Sequence, residues 1–461
     1  MSQATPLRLQ RQADEGGPER PVRIVHLGLG NFFRAHQAWY TDRAPDAEEW
    51  GIAAFTGRRQ ELAAALLPQS GLYTLVTRAG SGDRFDVVRS VSAVHPATDH
   101  QRWLDYHRSD SLAIVTITVT EAGYLRSGDG SLDATDAQVR HDVAALRSNR
   151  AAPVSSVPAR LLAGLVARKQ AGLGPIAVMP CDNLPGNGSV VADVIRDLAL
   201  LVDRGLVAVV DEMASFVTTM VDRITPETTD LDRETVQTHT GVYDAAPVTT
   251  EPFSEWVISG EFPAGRPAWE IAGATITDDV APYEQRKLQL LNGAHSLLAY
   301  GASIRGHLTV AEAVSDPVCL SWLGEWWDEA ATHLPLPADD LASYRSQLLE
   351  RFGNPRIRHL LAQIAADGSQ KLPVRILPVL RAERTAGRVP VGAARAVAAW
   401  VCHLRGLGAP VSDPQADVVR VLAQGTAEEA ARKVLEFLDP QLGKDEAVVD
   451  AVVENVEVLS G

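Results

Sequence analysis

Lys287, Asn292 and His295 lie within a single stretch, P-Y-E-Q-R-K-L-Q-L-L-N-G-A-H-S-L-L-A-Y from Pro282 to Tyr300, and Glu284 precedes the lysine by three residues. An amine, an imidazole and a carboxylate exchange protons, and a carboxamide donates to a charged oxygen. At about 100° per residue, with Lys287 as zero, Glu284 falls at about 60°, His295 at about 80° and Asn292 at about 140°, so all four share one helical face. Leu290, Ala294, Leu297 and Leu298 take the remaining arc and pack against the domain. Lys287 and His295 are separated by a rise of roughly 12 Å, so they flank a ligand more readily than they touch each other.

The element that must carry these groups is a helix opened by Pro282, whose missing N–H costs nothing in the first turn. Asp278 and Asp279 upstream cap and complement its positive end. From Pro282 onward the patterns are almost wholly helical, without a strand or a repeat. Two polar turns within this half, Arg351 to His359 and Asp367 to Arg375, gather Arg351, Arg356, Arg358, Lys371 and Arg375. They are either a solvated basic face or the rim of a site for an anion.

The N-terminal half reads differently. V-R-I-V-H-L-G-L-G-N-F-F-R-A-H, Val22 to His36, is a β-branched run followed by a glycine pair and a helical pattern, the opening of a dinucleotide fold. Gly28 makes the tight turn, and Gly30 lets a pyrophosphate approach backbone N–H groups. Phe33 stands where the third glycine of G-x-G-x-x-G belongs, so an ordinary strand–turn–helix stays open. Arg34 and His36 can face a phosphate or the nicotinamide side. Trp50 to Glu61 reads as the second strand and its loop, where Glu61 could hold the ribose hydroxyls or Arg58 and Arg59 a 2′-phosphate; a solvated helix start is the alternative.

Ser111 to Tyr124 and Pro175 to Gly188 are strands that end in polar turns, the ligand side of an open α/β sheet. They make Thr120, Glu121 and Tyr124 cofactor-side candidates, and Asn183 a candidate or a turn former. Asp222 and Arg223 read as a surface ion pair or as site residues. Ile271 to Asp279 is the expected hinge. The expected organisation is a disordered polar tail over 1–20, a Rossmann-type α/β domain over 21–277 and a mostly α-helical substrate domain over 278–461.

Composition narrows the classes. The 461 residues are 46% hydrophobic and 22% charged, enough for two domains with buried cores. A net charge of −15 argues against nucleic acid, and no apolar run approaches the roughly 20 residues that span a bilayer. Cys181, Cys319 and Cys402 are scattered and odd in number, and the first twenty residues lack a secretory apolar core; a cytoplasmic location fits.

Taken together, G-L-G-N-F-F-R-A-H-Q, T-V-T-E-A-G-Y, P-C-D-N-L-P-G-N-G, M-V-D-R-I-T-P, K-L-Q-L-L-N-G-A-H-S and D-G-S-Q-K-L-P resemble the polyol-specific long-chain dehydrogenases, the mannitol dehydrogenase family. The resemblance spans about residues 22 to 440. It implies Lys287 as general base, Asn183 and Asn292 as alkoxide-binding amides, His295 as a substrate-orienting group, Glu284 as a carboxylate on the proton path and Asp222 as a substrate contact. It implies NAD, with NADP open, held by Gly28, Gly30, Asn31, Phe32, Arg34, Glu61, Thr120 and Glu121. It favours a monomer. The sequence departs from the common pattern at Phe33, where many members have histidine, and at Ala122, where many have lysine.

The chemistry has its own rationale. Removing the hydroxyl proton as hydride leaves the carbon gathers negative charge on that oxygen, and losing one of two amide donors to it costs about 2.7–4 kcal/mol of barrier. A lysine serves as base when burial or nearby positive charge lowers its pKa from about 10.4 toward 7–8. No H-E-x-x-H occurs, so no metal is expected. Substrates expected are a polyol or a sugar acid: D-mannonate with D-fructuronate, for which Lys371 and Arg375 are substrate-binding candidates, or D-mannitol with D-fructose, or D-mannitol 1-phosphate with D-fructose 6-phosphate. A catalytically silent nucleotide-binding regulator is the reading from another class.

Overall fold

In the computed structural model, which describes residues 7–11, 17–57 and 60–461, six parallel strands form the centre of the N-terminal half. They are β1 (Val22–Leu29), β2 (Gly51–Thr56), β3 (Val91–His95), β4 (Ile114–Ile117), β5 (Ile176–Pro180) and β6 (Ala214–Phe216). Their order across the sheet is β3-β2-β1-β4-β5-β6, the doubly wound order that leaves a crevice beside the carboxyl end of β1. The strands are apolar at nearly every position because both faces are covered.

Val25, Leu27, Ala53, Phe55, Val115, Ile117 and Val178 belong to one core, shared with α2 (Val157–Gln170) and α3 (Asn187–Val202); α1 (Asn31–Ala35) follows the glycine pair on the other side. Ile24, Ile52, Ala54, Ile114, Ala177 and Met179 alternate onto that other face, with Phe33, Tyr40, Trp256 and Trp269.

Two expectations change. Of the tail expected over 1–20, residues 1–6 and 12–16 lie outside the described residues, but Leu7–Arg8 is a strand paired in parallel with Val242–Tyr243. Leu9 is buried, and Arg11 donates to the carbonyls of Ser70, Arg89 and Val91. Those carbonyls are acceptors that a count of polar residues cannot foresee. The stretch expected as hinge is tied to the first unit, since Thr275–Ile276 pairs with the strand Glu255–Ser259. The chain divides into the units Met1–Ala281 and Pro282–Gly461.

The second unit is helical. α4 (Ala281–Arg286) and α5 (Ala294–Ile304) frame the stretch that carries Lys287 and Asn292, and α6 (Pro317–Ala331), α7 (Gly368–Arg375) and α8 (Gly392–Leu404) pack around them. Asp279 caps the start, its Oδ1 accepting from Ala281 N at 2.9 Å. Leu290, Ala294, Leu297 and Leu298 are fully buried. The expected regular α-helix is corrected between its two ends: Lys287–Gly293 is π-helical. Bonding from i to i+5 widens the turn, so Asn292, five residues after Lys287, stands more nearly above it than the about 140° of an α-helix allows.

Among the described residues no helix is long and apolar enough to cross a membrane.

Candidate active site

The turn after β1 is fixed by sterics. Gly28 has φ +111°, and a Cβ there would come within 2.0 Å of Thr118 O. Gly30 has no such constraint: its Cβ would meet nothing nearer than Gly28 O at 3.6 Å. The small residue is not needed by the fold, and the open space beside its backbone fits a pyrophosphate approaching there.

Phe33 replaces the third glycine for a visible reason. Its ring stacks on His26 with centroids 3.5 Å apart and is fully buried. His26 is held between Thr116 Oγ1 at 2.8 Å and Thr118 Oγ1 at 3.0 Å, and burial lowers its pKa to about 3. A neutral imidazole therefore supports the glycine turn from within the sheet.

Arg34, expected to face a phosphate or the nicotinamide, is engaged within the protein. It is buried, donating to Ala246 O, to Asn31 Oδ1 at 2.7 Å and to Gly30 O at 3.3 Å, so its donors brace the turn internally. Asn31 is tied in turn to Pro226 O at 3.1 Å. His36 Nε2 pairs with the Glu255 carbonyl at 2.9 Å, and Phe32 stacks on its ring at 4.9 Å.

Thr120 and Glu121 are exposed just past β4, and Glu61 is exposed at the start of the helix Glu61–Leu66 that follows β2. Arg58 and Arg59 lie outside the described residues. Tyr124, expected on the cofactor side, is buried and donates its hydroxyl to Asp182.

Asn183 is exposed on the turn after β5. Its neighbour Asn187 is the structural asparagine of D-N-L-P-G-N-G: buried, it accepts from Thr219 N and donates to Thr219 O, both at 3.0 Å. Asp222 ends the strand Thr218–Asp222 and is 7% exposed. The surface ion pair with Arg223 is corrected, because Arg223 is buried too and donates to the carbonyls of Ala35 and Glu251 while covering the Trp39 ring at 4.4 Å.

In the second unit Asn292, His295, Lys371 and Arg375 line one cavity of about 220 Å³ with His359, Gln363 and Ile364. Among the described residues no carboxylate lines it. Arg375 reaches Asn292 O at 3.5 Å and Ser296 Oγ at 3.4 Å, both at the long limit of hydrogen bonding, so its guanidinium keeps capacity for a ligand. Lys371 donates to Ala366 O at 2.6 Å and lies 3.8 Å from Asp367. Burial and then Arg375 lower its pKa.

His295 is buried, and its Nε2 has no hydrogen-bond partner. Desolvation first, then His359, Arg351 and Arg375, push its pKa well below 6.5. An unpaired polar atom in a cavity wall is a position that a ligand hydroxyl can satisfy. Lys287 and Glu284 are half-buried on the same helical stretch and are not among the lining residues. Of the five cations in the two polar turns, Lys371 and Arg375 line the cavity, Arg351 is buried, and Arg356 and Arg358 are exposed.

His359 and Gln363 were not foreseen. The histidine ends R-F-G-N-P-R-I-R-H, where the signal is its place next to the basic run; nothing in the sequence marks Gln363.

Among the described residues one cluster has three metal-ligand side chains, His307, Asp316 and Cys319. Its carboxylate Oδ2 already accepts from Arg305 Nε at 2.7 Å and pairs with His307 Nε2 at 2.9 Å. The arginine supplies the positive charge that a metal ion would bring.

Residues 22–271 match the family described as the mannitol dehydrogenase Rossmann domain, and residues 279–460 the mannitol dehydrogenase C-terminal domain. The D-mannonate oxidoreductase of Escherichia coli (strain K12) is 36% identical over 416 residues, 88% of this chain and 84% of that protein. A D-arabinitol 4-dehydrogenase of Ralstonia nicotianae is 37% identical over 393 residues, 83% of each. The structure of Pseudomonas fluorescens mannitol 2-dehydrogenase in ternary complex with NAD and D-mannitol superposes with a TM-score of 0.77 at 33% identity, covering 99% of this chain and 95% of that one.

Proposed function

The chain belongs to the mannitol dehydrogenase family of oxidoreductases acting on CH–OH groups, and from that membership we propose that it interconverts D-mannonate and D-fructuronate with NAD. The observation that carries the choice of a sugar acid is the cavity of the second unit. It is lined by Lys371 and Arg375, has no carboxylate among the described residues that line it, and presents the amide of Asn292 and the neutral imidazole of His295. A carboxylate gains charge-assisted hydrogen bonds from such a wall, which a neutral polyol does not.

NAD, when bound, supplies the ring that accepts a hydride, and Gly28, Gly30, Thr120, Glu121 and Glu61 are the residues proposed to hold it. Lys287 takes the hydroxyl proton, and Glu284 passes it toward water. Asn292 and Asn183 donate to the oxygen on which charge collects. His295 orients a neighbouring hydroxyl, and Asp222 accepts from another. No metal is required, because the amides and the lysine do the work of a Lewis acid. The catalytic unit is taken to be a single chain.

A second reading, D-mannitol with D-fructose, draws on Asp222, a nearly buried carboxylate suited to accepting from hydroxyls. Incubating the protein with NADH and D-fructuronate and following D-mannonate by NMR tests the first reading. Product there supports it, while product only from D-fructose moves the assignment to the polyol.

A further inference from the structure

Where i→i+5 bonding returns to i→i+4, one backbone carbonyl is left without an amide. In the second unit this return falls where Lys287–Gly293 meets α5, and two indoles from another helix donate to successive carbonyls there. Trp326 Nε1 donates to Gln289 O at 3.0 Å, and Trp327 Nε1 donates to Leu290 O at 2.8 Å. Both tryptophans come from α6 and are buried.

Two glycines make room for the first of them. A Cβ on Gly293 would come within 2.4 Å of Trp326 Cζ2, and one on Gly392, at the start of α8, within 2.6 Å of Trp326 Cα. The glycine of N-G-A-H is therefore the seat of an indole.

We infer that Trp326 and Trp327 are positioning residues, whose N–H groups hold the π-helical register that sets Lys287 against Asn292 and His295. The inference rests on reading Lys287 as the base. Collapse of the turn to i→i+4 bonding would return Asn292 to about 140° around the helix from Lys287, away from its place more nearly above the lysine. The donors do not touch substrate. They stabilise the widened register by giving a donor to the buried carbonyl that it leaves without an amide.

Trp327→Phe removes the donor and keeps an aromatic filler; benzothienylalanine at the same position keeps the indole shape with sulfur in place of N–H, so folding is retained. Each is expected to lower kcat at least tenfold with the KM for NAD unchanged. The apparent pKa in the pH profile of alcohol oxidation should move, and amide exchange should quicken only across Lys287–Gly293. Parental kcat, pH profile and exchange, with nothing altered except a lower melting temperature, would overturn the inference.

Lys287→Ala separates the two layers. If it turns over like the parent, the base assignment fails and the positioning role falls with it. If it is inactive while the indole variants behave as the parent, only the positioning role falls.

Discussion

His295 and His359 meet edge to face, their ring centroids 4.8 Å apart and their planes at 82°. Burial lowers the pKa of both, and Arg351 adds to the effect on each. Arg375 both opposes protonation of His295 and lines the cavity, so the two properties can be tested through one residue.

Arg375→Ala should raise KM for D-fructuronate by about 10- to 150-fold, the value of a charged hydrogen bond of roughly 1.5–3 kcal/mol, and KM for D-fructose only severalfold. Because Arg375 also opposes protonation of His295, the same variant should bring the His295 pKa upward in an NMR titration. Equal effects on both substrates would remove the anion site.

Replacement of Lys287 by alanine should cut kcat by about 10²–10⁴-fold and leave the dissociation constant for NADH unchanged. Asn292→Ala should cost about 10²–10³-fold in kcat, the loss of one preorganised donor. Turnover retained by the lysine variant would place the base elsewhere.

Gly28 and Gly30 should separate fold from cofactor. Gly28→Ala must shift Thr118 or the turn, so its melting temperature should fall. Gly30→Ala meets nothing nearer than 3.6 Å and should melt like the parent, while binding NADH about tenfold more weakly, about 1.4 kcal/mol. An unchanged NADH affinity in Gly30→Ala would put the pyrophosphate away from this turn.

Buried neutral histidines predict acid lability. His26 is brought to about 3, and His107 and His403 to about 4, in each case chiefly by burial. A lowered folded pKa means that the unfolded chain binds more protons. Stability is therefore full above about 6.5 and is lost as pH falls from there through the folded values. For His26 the difference corresponds to roughly 4–5 kcal/mol when fully expressed. Urea midpoints should be flat above about pH 7 and decline below about 6; His26→Gln should flatten that decline.

Much of this was legible in the sequence. Strands that read as unbroken apolar runs before a glycine pair or a polar turn became the parallel sheet, because periodicity and turn chemistry are local. The core side of the Lys287 stretch was equally readable from Leu290, Ala294, Leu297 and Leu298. The π-helical turn was not, since its cause lies in Trp326 and Trp327, more than thirty residues away, and in the glycine that admits one of them. The internal bonding of Arg34 was hidden for a similar reason: its acceptor Ala246 is brought to it only by the fold. Which of the five clustered cations face a cavity depends on how their turns pack, as the buried Arg351 and the exposed Arg356 illustrate.

Initial rates of NADH oxidation by the purified protein with D-fructuronate and with D-fructose at matched concentrations decide between a sugar acid and a polyol. For a sugar-acid enzyme kcat/KM for D-fructuronate should be at least tenfold above that for D-fructose, with the preference lost in Arg375→Ala. A preference for D-fructose that Arg375→Ala leaves intact would contradict that reading.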